Sequence, residues 1–227
     1  KAAPGEAMAA IAGDLADCES MALLRELMAG LGSRNIDCRQ DGAKLDPSQR
    51  AGWLFNSTVA GIDTADALVL VGTNPRLEAP VLNARIRKRW LAGKFPVGVI
   101  GDHADLTYKY AYLGAGPDTL KALIDGKNEF AATLKGAKHP MVIVGQGALA
   151  RKDGAAVLAA ARRLAETFGM VKDGWNGFNV LHTAAARVGG LEVGFVPGQK
   201  GRDLEGILAG AESGAIKLVY LLGADEI

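Results

Sequence analysis

Four short apolar runs along the chain each end at a glycine. They are ALVLVG to Gly72, PVGVIG to Gly101, PMVIVG to Gly145 and LVYLLG to Gly223. Because these runs are uniformly apolar rather than alternating, they indicate strands buried on both faces of a parallel sheet. The turns after the four glycines are expected to cluster at the carboxyl edge of that sheet, where such folds place their ligands.

Helical periodicity fills the stretches between these runs. Residues 80–92 begin with a proline and repeat Leu82, Ile86 and Trp90 every four residues, which predicts one buried stripe. Further helices are predicted at 4–16, 19–31, 117–124, 127–136, 153–168 and 203–213, and weaker strands at Ile36–Arg39 and Leu191–Phe195. Strands alternating with helices predict right-handed crossovers and a doubly wound, mostly parallel α/β sheet. Residues 1–227 are treated as one domain, with possible sub-units 1–137 and 138–227.

Composition narrows the possible functions. The chain has 227 residues, 49% of them hydrophobic, and a formal net charge of +1, so no bulk field points to nucleic acid. The longest uninterrupted apolar stretch runs only from Ala155 to Ala161, against roughly 20 residues needed to cross a bilayer. Neither nucleic-acid binding nor direct membrane insertion is expected.

The cysteines and the chain ends give two further expectations. Cys18 and Cys38 stand apart, with no histidine beside either. A structural zinc or iron–sulfur site usually needs about four such ligands, so two free thiols and no metal are predicted. The chain opens on Lys1 and stops at YLLGADEI, a strand and turn without the helix that should follow. These ends indicate a piece of a longer polypeptide.

The segment PMVIVGQGALARKDG contains Gly145-x-Gly147-x-x-Ala150, which matches the dinucleotide-binding fingerprint. That motif needs a helix N-terminus beside its glycines, because the pyrophosphate binds there. Here residues 151–154 separate the glycines from the helical periodicity, and Asp173, a candidate ribose partner, lies in a turn-like stretch. A structural strand-to-helix turn is therefore favoured over an NAD site.

The loop VGTNPRLEAP, residues 71–80, turns directly after a predicted buried strand. Its amides, the Thr73 hydroxyl and the Arg76 guanidinium are candidate contacts for an anionic or polar cofactor. The competing interpretation is an Asn74-Pro75 turn that caps the next helix.

Other polar and aromatic groups favour structural roles. Arg87 and Lys88 lie opposite the apolar stripe of the 80–92 helix and predict a solvated or subunit-facing surface. Three alternating tyrosines are expected on one face of an extended segment, and three histidines match no metal or triad spacing. These residues are Tyr108, Tyr110, Tyr112, His103, His139 and His182.

The stretch FNSTVAGIDTADALVLVGTNPRLEAPVLNARIRKRWL, residues 55–91, resembles the large iron–sulfur subunit of proton-pumping NADH:quinone oxidoreductase, respiratory complex I. Its most discriminating part is Glu78-Ala79-Pro80 followed by NARIRK. Within that family the sequence is similar to alphaproteobacterial and mitochondrial members. The resemblance covers nearly the whole chain and continues through residues 19–39, 105–114, 151–166, 179–195 and 221–226.

The resemblance implies two parts with different roles in the parent polypeptide. In that family the N-terminal part carries iron–sulfur clusters, and a domain similar to molybdopterin oxidoreductases such as formate dehydrogenase follows. This chain resembles the second domain, so no cofactor is expected in it, and the clusters are assigned to a missing N-terminal part. The parent enzyme passes electrons from NADH to quinone, and NADH is expected on a different subunit.

The same resemblance implies partners and a location. Other subunits of the peripheral arm are the expected partners. The expected location is the cytoplasmic face of the bacterial inner membrane, or the matrix side in mitochondria.

In molybdopterin enzymes the loop corresponding to Gly72-Thr73-Asn74-Pro75 helps to hold the pterin dinucleotide, and it commonly continues into His-Pro. Here Glu78 and Ala79 stand before Pro80, so the resemblance implies a scaffold without catalytic residues. The vestigial pterin edge is assigned to Gly72, Thr73, Asn74, Pro75, Gly145, Gly147, Gly223 and Asp225.

Two alternatives stay open at this point. One is a pterin-binding domain of an active molybdopterin oxidoreductase. The other is the central domain of a thiamine-diphosphate enzyme, where a strand, glycine-rich turn and helix like VIVGQGALARKDGAAVLAAARRLAE also occur. The second alternative leaves LVGTNPRLEAPVLNARIRK unexplained.

Overall fold

A computed structural model describes residues 4–224 of the chain. In chain order its strands are β1 (Met8–Ala12), β2 (Ile36–Asp37), β3 (Ala67–Val71), β4 (Val97–Ile100), β5 (Ala111–Gly114), β6 (Pro140–Val144), β7 (Val171–Lys172), β8 (Trp175–Asn176), β9 (Phe178–Val180) and β10 (Leu218–Leu222). Its α-helices are α1 (Cys18–Gly30), α2 (Thr58–Gly61), α3 (Pro75–Glu78), α4 (Pro80–Leu91), α5 (Pro117–Ile124), α6 (Phe130–Gly136), α7 (Gln146–Leu149), α8 (Gly154–Thr167), α9 (Ala185–Glu192) and α10 (Leu204–Glu212).

The chain divides into two compact units. One comprises Lys1–Ala43 with Ala184–Ile227, and the other comprises Lys44–Thr183. This division differs from the expected sub-units 1–137 and 138–227. A boundary after residue 137 would separate β6 from β3, although the two strands pair along their whole length. The second unit is instead an insertion between two segments that pair in the first.

The second unit contains a five-stranded parallel sheet in the order β5-β4-β3-β6-β9. Strands β4 and β5 lie on one side of β3, and the chain then returns to place β6 on the other side. The connection therefore reverses between β3 and β6, as the doubly wound prediction requires. Every residue of β3 and β6 is buried, which is the physical reason why their sequences lack polar alternation.

One face of this sheet packs against α4. Leu68 and Leu70 of β3 share a buried apolar cluster with Leu82 and Ile86, and Trp90 packs against its margin. The stripe predicted for residues 80–92 is therefore confirmed. Burial of one large aliphatic side chain contributes roughly 1.5–3 kcal/mol, so α4 is held chiefly by this stripe.

The first unit contains a three-stranded parallel sheet in the order β10-β1-β2. Ala9 and Ile11 of β1 pack against Leu204 and Ile207 of α10 in one buried cluster. The prediction of a helix over 4–16 is wrong, because β1 occupies the centre of this run. Alanine favours helices in isolation, but burial between two neighbouring strands overrides a propensity of a few tenths of a kcal/mol per residue.

The strand predicted at Leu191–Phe195 is also wrong. These residues form the end of α9 and the turn after it, where Gly194 has φ of 70° and Phe195 N–H donates to the Gly190 carbonyl. Small residues inside α9 let it approach its neighbours closely. A Cβ on Gly190 would lie 2.6 Å from Cβ of Cys38.

Gly223 does not belong with the other three glycine turns. It follows β10, which pairs with β1 in the first unit, whereas Gly72, Gly101 and Gly145 follow strands of the five-stranded sheet. The expectation that all four turns share one sheet edge is therefore wrong for Gly223. Uniform apolarity predicts a parallel strand but does not say to which sheet it belongs. The expectation that LVYLL is buried on both faces is also wrong, because β10 is largely exposed.

Candidate functional site

The loops at the carboxyl edge of the five-stranded sheet surround a cavity of about 340 Å³. This is near the lower end of the roughly 300–1,000 Å³ typical of small-molecule pockets. The lining comes from the loops after β3, β4, β5 and β6, in the position where doubly wound sheets bind ligands. Its polar and glycine residues include Gly72, Thr73, Asn74, Glu78, Gly101, Asp102, His103, Gly116, Gly147 and Arg151.

The glycines of the fingerprint-like turn are explained by contact between two loops. A Cβ on Gly145 would lie 2.4 Å from Cβ of Thr73, and a Cβ on Gly147 would lie 2.9 Å from the Gly72 carbonyl oxygen. Gly72 itself has φ of 56°, and its Cβ would lie 2.5 Å from Cβ of Ala148. Glycine is therefore needed here because the loops after β3 and β6 press against each other.

Glu78 binds the donors of the loop after β3. Its Oε2 accepts a hydrogen bond from the Thr73 hydroxyl at 2.6 Å, and its Oε1 accepts one from the Asn74 backbone amide at 2.6 Å. Hydrogen bonds to a carboxylate are short and about twice as strong as neutral ones. The single turn α3 brings the carboxylate back onto the loop, so Glu78 occupies the donors that an incoming anion would use.

The arginines of this edge have carboxylate partners of their own. Arg76 pairs with Asp105, and it also donates to the Asp105 carbonyl at 3.0 Å. Arg151 Nε lies 2.7 Å from Asp153 Oδ1. Arg76 lowers the pKa of the Asp105 carboxyl, after a larger contribution from the Thr107 amide, and Arg151 lowers the pKa of Asp153. Both carboxylates therefore stay ionised at neutral pH, and each forms an exposed ion pair with its arginine.

These contacts decide whether the edge fits a pterin dinucleotide. A pyrophosphate needs free N–H and O–H donors or an unpaired cation. The Thr73 hydroxyl and the Asn74 backbone amide bind Glu78, whose own charge repels a phosphate, and Arg151 binds Asp153. The buried Asn74 Oδ1 accepts no hydrogen bond, but it is an acceptor and so offers a phosphate nothing. The residues do not fit the anionic part of that cofactor.

The long helix of the fingerprint region starts beyond the glycines. Gly145 precedes only the four-residue helix α7, and α8 begins at Gly154. The predicted separation of the glycines from the long helix is confirmed, although Gly154 belongs to α8 and only residues 150–153 lie between α7 and α8. The turn therefore lacks the long helix N-terminus that a dinucleotide pyrophosphate requires.

The three tyrosines do not share one environment. The buried Tyr108 donates to Asn83 Oδ1 at 2.9 Å, and Tyr110 donates to the Ala104 carbonyl at 2.9 Å. The exposed Tyr112 stacks on His103 with ring centroids 3.6 Å apart. The expectation of a common face is wrong, because residues 106–110 form a loop and only Ala111–Gly114 is a strand. Arg87 and Lys88 are exposed on α4, as predicted.

The structure brings together part of the residue set assigned to the vestigial pterin edge. Gly72, Thr73, Asn74 and Gly147 line the cavity, Gly145 lies behind them against Thr73, and Pro75 is buried at the start of α3. Gly223 belongs to the other sheet, and Asp225 lies outside the described residues. Their assignment to a pterin edge stays a prediction.

Sequence reasoning did not assign several of the lining residues to the edge. Asp102, His103, Gly116 and Arg151 reach the cavity from the loops after β4, β5 and β6. The sequence indicated two of these loops, one by the predicted turn at Gly101 and one by the proline that begins the predicted helix 117–124. The contact of Glu78 with Thr73 has no such signal, since it depends on the fold of α3.

The described residues contain neither a metal-binding cluster nor a membrane-spanning helix. Within 4–224 no group of three or more His, Cys, Asp or Glu side chains is arranged to hold a metal ion. The helices of that range all fall short of the length and apolar character needed to cross a membrane.

The sheet, the glycine turns and the loop after β3 define a class of protein. The family model described as Molybdopterin oxidoreductase matches residues 1–227. The chain therefore belongs to the molybdopterin oxidoreductase family, and its predicted doubly wound, mostly parallel fold is confirmed. The thiamine-diphosphate alternative is set aside by this match.

Within that family the chain is similar to named respiratory proteins. It is 41% identical over 227 residues to an NADH-quinone oxidoreductase subunit of Rickettsia felis, and the match covers 100% of this chain and 32% of that protein. It is 40% identical over 222 residues to the mitochondrial NADH dehydrogenase [ubiquinone] iron-sulfur protein 1 of Solanum tuberosum, and that match covers 98% of this chain and 29% of the relative. The resemblance to the large iron–sulfur subunit is confirmed. The chain spans about a third of the length of these curated relatives.

Proposed function

We propose that this chain is the molybdopterin-oxidoreductase-like part of the large iron–sulfur subunit of a proton-pumping NADH:quinone oxidoreductase. In that enzyme electrons pass from NADH through iron–sulfur clusters to quinone. The proposal rests on relatives of that name that are 40–41% identical over 98–100% of this chain. The iron–sulfur clusters and the NADH site belong to other parts of the enzyme.

Within that enzyme the chain serves as a non-catalytic scaffold that holds no pterin cofactor. The observation that supports this role is the Glu78 carboxylate, which accepts both the Thr73 hydroxyl and the Asn74 amide. Because this carboxylate already accepts both hydrogen bonds, the loop after β3 needs no bound anion to satisfy these donors. Electron-transfer centres must keep fixed separations, and a rigid α/β domain stabilises their frame without donating a ligand.

The proposed partners are other subunits of the peripheral arm. The proposed location is the cytoplasmic face of the bacterial inner membrane, or the matrix side of the mitochondrial inner membrane. Association through protein partners agrees with a net charge of +1, which offers little attraction to anionic lipid.

Activity of the assembled complex tests the non-catalytic role. Thr73→Val removes the hydroxyl at the cavity with little change of shape, and Thr73→Ser keeps the hydroxyl as a matched control. NADH:quinone turnover per assembled complex should be the same for wild type and both variants. A loss of more than tenfold in Thr73→Val alone, at equal complex content, would contradict a scaffold role and favour an active cofactor site.

A further inference from the structure

Helix α1 of the first unit has two apolar sides. Met21, Leu24 and Met28 are buried, as expected for the side that packs on β1. A second series recurs every four residues on a different side and is exposed: Leu23 by 68%, Leu27 by 55% and Leu31 by 46%. A solvated helix face normally bears charged or polar residues at such positions, so a stripe of three leucines requires a partner.

The neighbours of α1 determine which way this stripe points. Helix α9 lies against the opposite flank of α1, where a Cβ on Gly189 would meet Cys18 Sγ at 2.6 Å and Arg25 donates to the Val193 carbonyl. A Cβ on Gly190 would meet Cys38, the residue that follows β2. Helix α9 is therefore on the β2 side of α1. The leucine stripe faces the other way, toward β10.

Within residues 4–224, strand β10 is uncovered at that position. Ala9 and Ile11 of β1 face α10, so by alternation Met8 and Ala10 face α1. Leu218 and Tyr220 are the register partners of Met8 and Ala10 and continue the same face beyond α1. They are 51% and 50% exposed, whereas Ala10 is fully buried beneath the helix. The face of the sheet that packs on α1 is therefore buried at β1 but exposed at β10.

The two exposed apolar surfaces meet in one groove. We call it the α1–β10 groove; its wall is formed by Leu23, Leu27 and Leu31, and its floor by Leu218 and Tyr220. A helix laid beside α1 would pack against the leucine ridge at the usual interaxial distance of about 8–10 Å and would cover β10 at the same time. Doubly wound sheets cover both faces with helices in this way.

We propose that the α1–β10 groove is filled by an amphipathic helix from the part of the same polypeptide that this chain does not span. The relatives extend well beyond it, since the chain covers 32% of the Rickettsia felis protein and 29% of the Solanum tuberosum protein. Five side chains that are 46–68% exposed are far fewer than the roughly 20–30 residues a side of a stable interface between separate proteins. A tethered helix needs no such area, because its effective concentration is high.

Cysteine labelling in the full-length polypeptide tests this occupant. In a Cys18→Ser background, Leu27→Cys and Tyr220→Cys probe the wall and the floor of the groove. Glu26→Cys and Lys217→Cys are matched controls, because each is exposed and lies within three residues of its probe. Labelling by a maleimide is followed at each residue by peptide mass spectrometry.

The expected result is a difference between the two polypeptides. In the 227-residue chain, probes and controls should label within about threefold of each other. In the full-length polypeptide, both groove probes should label at least tenfold more slowly than their controls.

Three outcomes would overturn the proposal. Equal labelling of probes and controls in the full-length polypeptide would show that the groove stays open. Protection that appears only when other subunits are added would assign the groove to a partner protein. Protection that depends on protein concentration would assign it to a second copy of the chain.

Discussion

At the scale of single residues, the loop after β3 shows how one carboxylate can occupy the hydrogen-bond donors of a loop at a sheet edge. The sequence places Glu78 and Ala79 before Pro80, where the resemblance led us to expect His-Pro, but it does not reveal where the Glu78 carboxylate points. In the structure Glu78 turns back across α3 onto Thr73 and Asn74. Contacts between side chains five residues apart in a loop depend on the local backbone path, which no periodicity encodes.

Thr73→Val should lower the free energy of unfolding by about 1–2 kcal/mol, because a hydrogen bond to a charged acceptor is lost. Thr73→Ser keeps the hydroxyl and should stay closer to wild type. Urea unfolding of the 227-residue chain measures both differences. Equal stability of the valine and serine variants would mean that the bond to Glu78 contributes nothing.

Gly147→Ala should lower the free energy of unfolding by about 1–3 kcal/mol, the usual cost of forcing an extra methyl group into a packed site. Its Cβ would lie 2.9 Å from the Gly72 carbonyl oxygen, which is backbone and cannot move cheaply. Gly136→Ala is the matched control, because nothing lies within 4 Å of its Cβ. If the two variants unfold at the same urea concentration, loop contact does not explain this glycine.

Cys38 should make the chain less stable at alkaline pH. Burial, with a smaller contribution from Asp37, raises the pKa of this thiol from 9.0 to about 12. Its stabilising contribution is complete below pH 9 and falls between pH 9 and 12, because only the unfolded thiol ionises there. Relative to Cys38→Ala, wild type should lose on the order of 1 kcal/mol between about pH 8 and 10. Urea unfolding at each pH measures both stabilities. If wild type and Cys38→Ala lose the same free energy of unfolding over that range, the effect is refuted.

At the scale of elements, strands and helices with a single unambiguous period were predictable. The runs to Gly72, Gly101 and Gly145 became β3, β4 and β6, and the periodicity of 80–92 became α4. The alanine-rich stretch at 4–16 was misassigned because alanine fits a buried strand and a helix equally well by pattern. Strand β9 (Phe178–Val180) was not predicted, since three residues show no period at all.

Helix α10 depends on its N-terminal cap. Asp203 accepts a hydrogen bond from the Gly206 amide at 3.0 Å, so Asp203→Ala should cost about 1 kcal/mol in the free energy of unfolding. Asp203→Asn retains an acceptor and should cost much less. Thermal or urea unfolding distinguishes the two variants, and a harmless alanine substitution would show that the cap is dispensable.

At the scale of the whole molecule, the sequence predicted the fold class but not the division into units. Parallel strands can pair across any sequence separation, and β1 pairs with β10 after an insertion of the entire second unit. Local patterns record burial and period but not such distant pairing. This is also why Gly223 was grouped with three turns of a different sheet.

The central claim is that this domain has kept the fold of its family without the pterin. The most direct measurement is the content of pterin and molybdenum in the full-length protein purified from its natural source. Pterin is detected by the fluorescence of its oxidised form after denaturation, and molybdenum by mass spectrometry. Far less than one equivalent of either per chain is expected. One equivalent of pterin per chain would contradict the account.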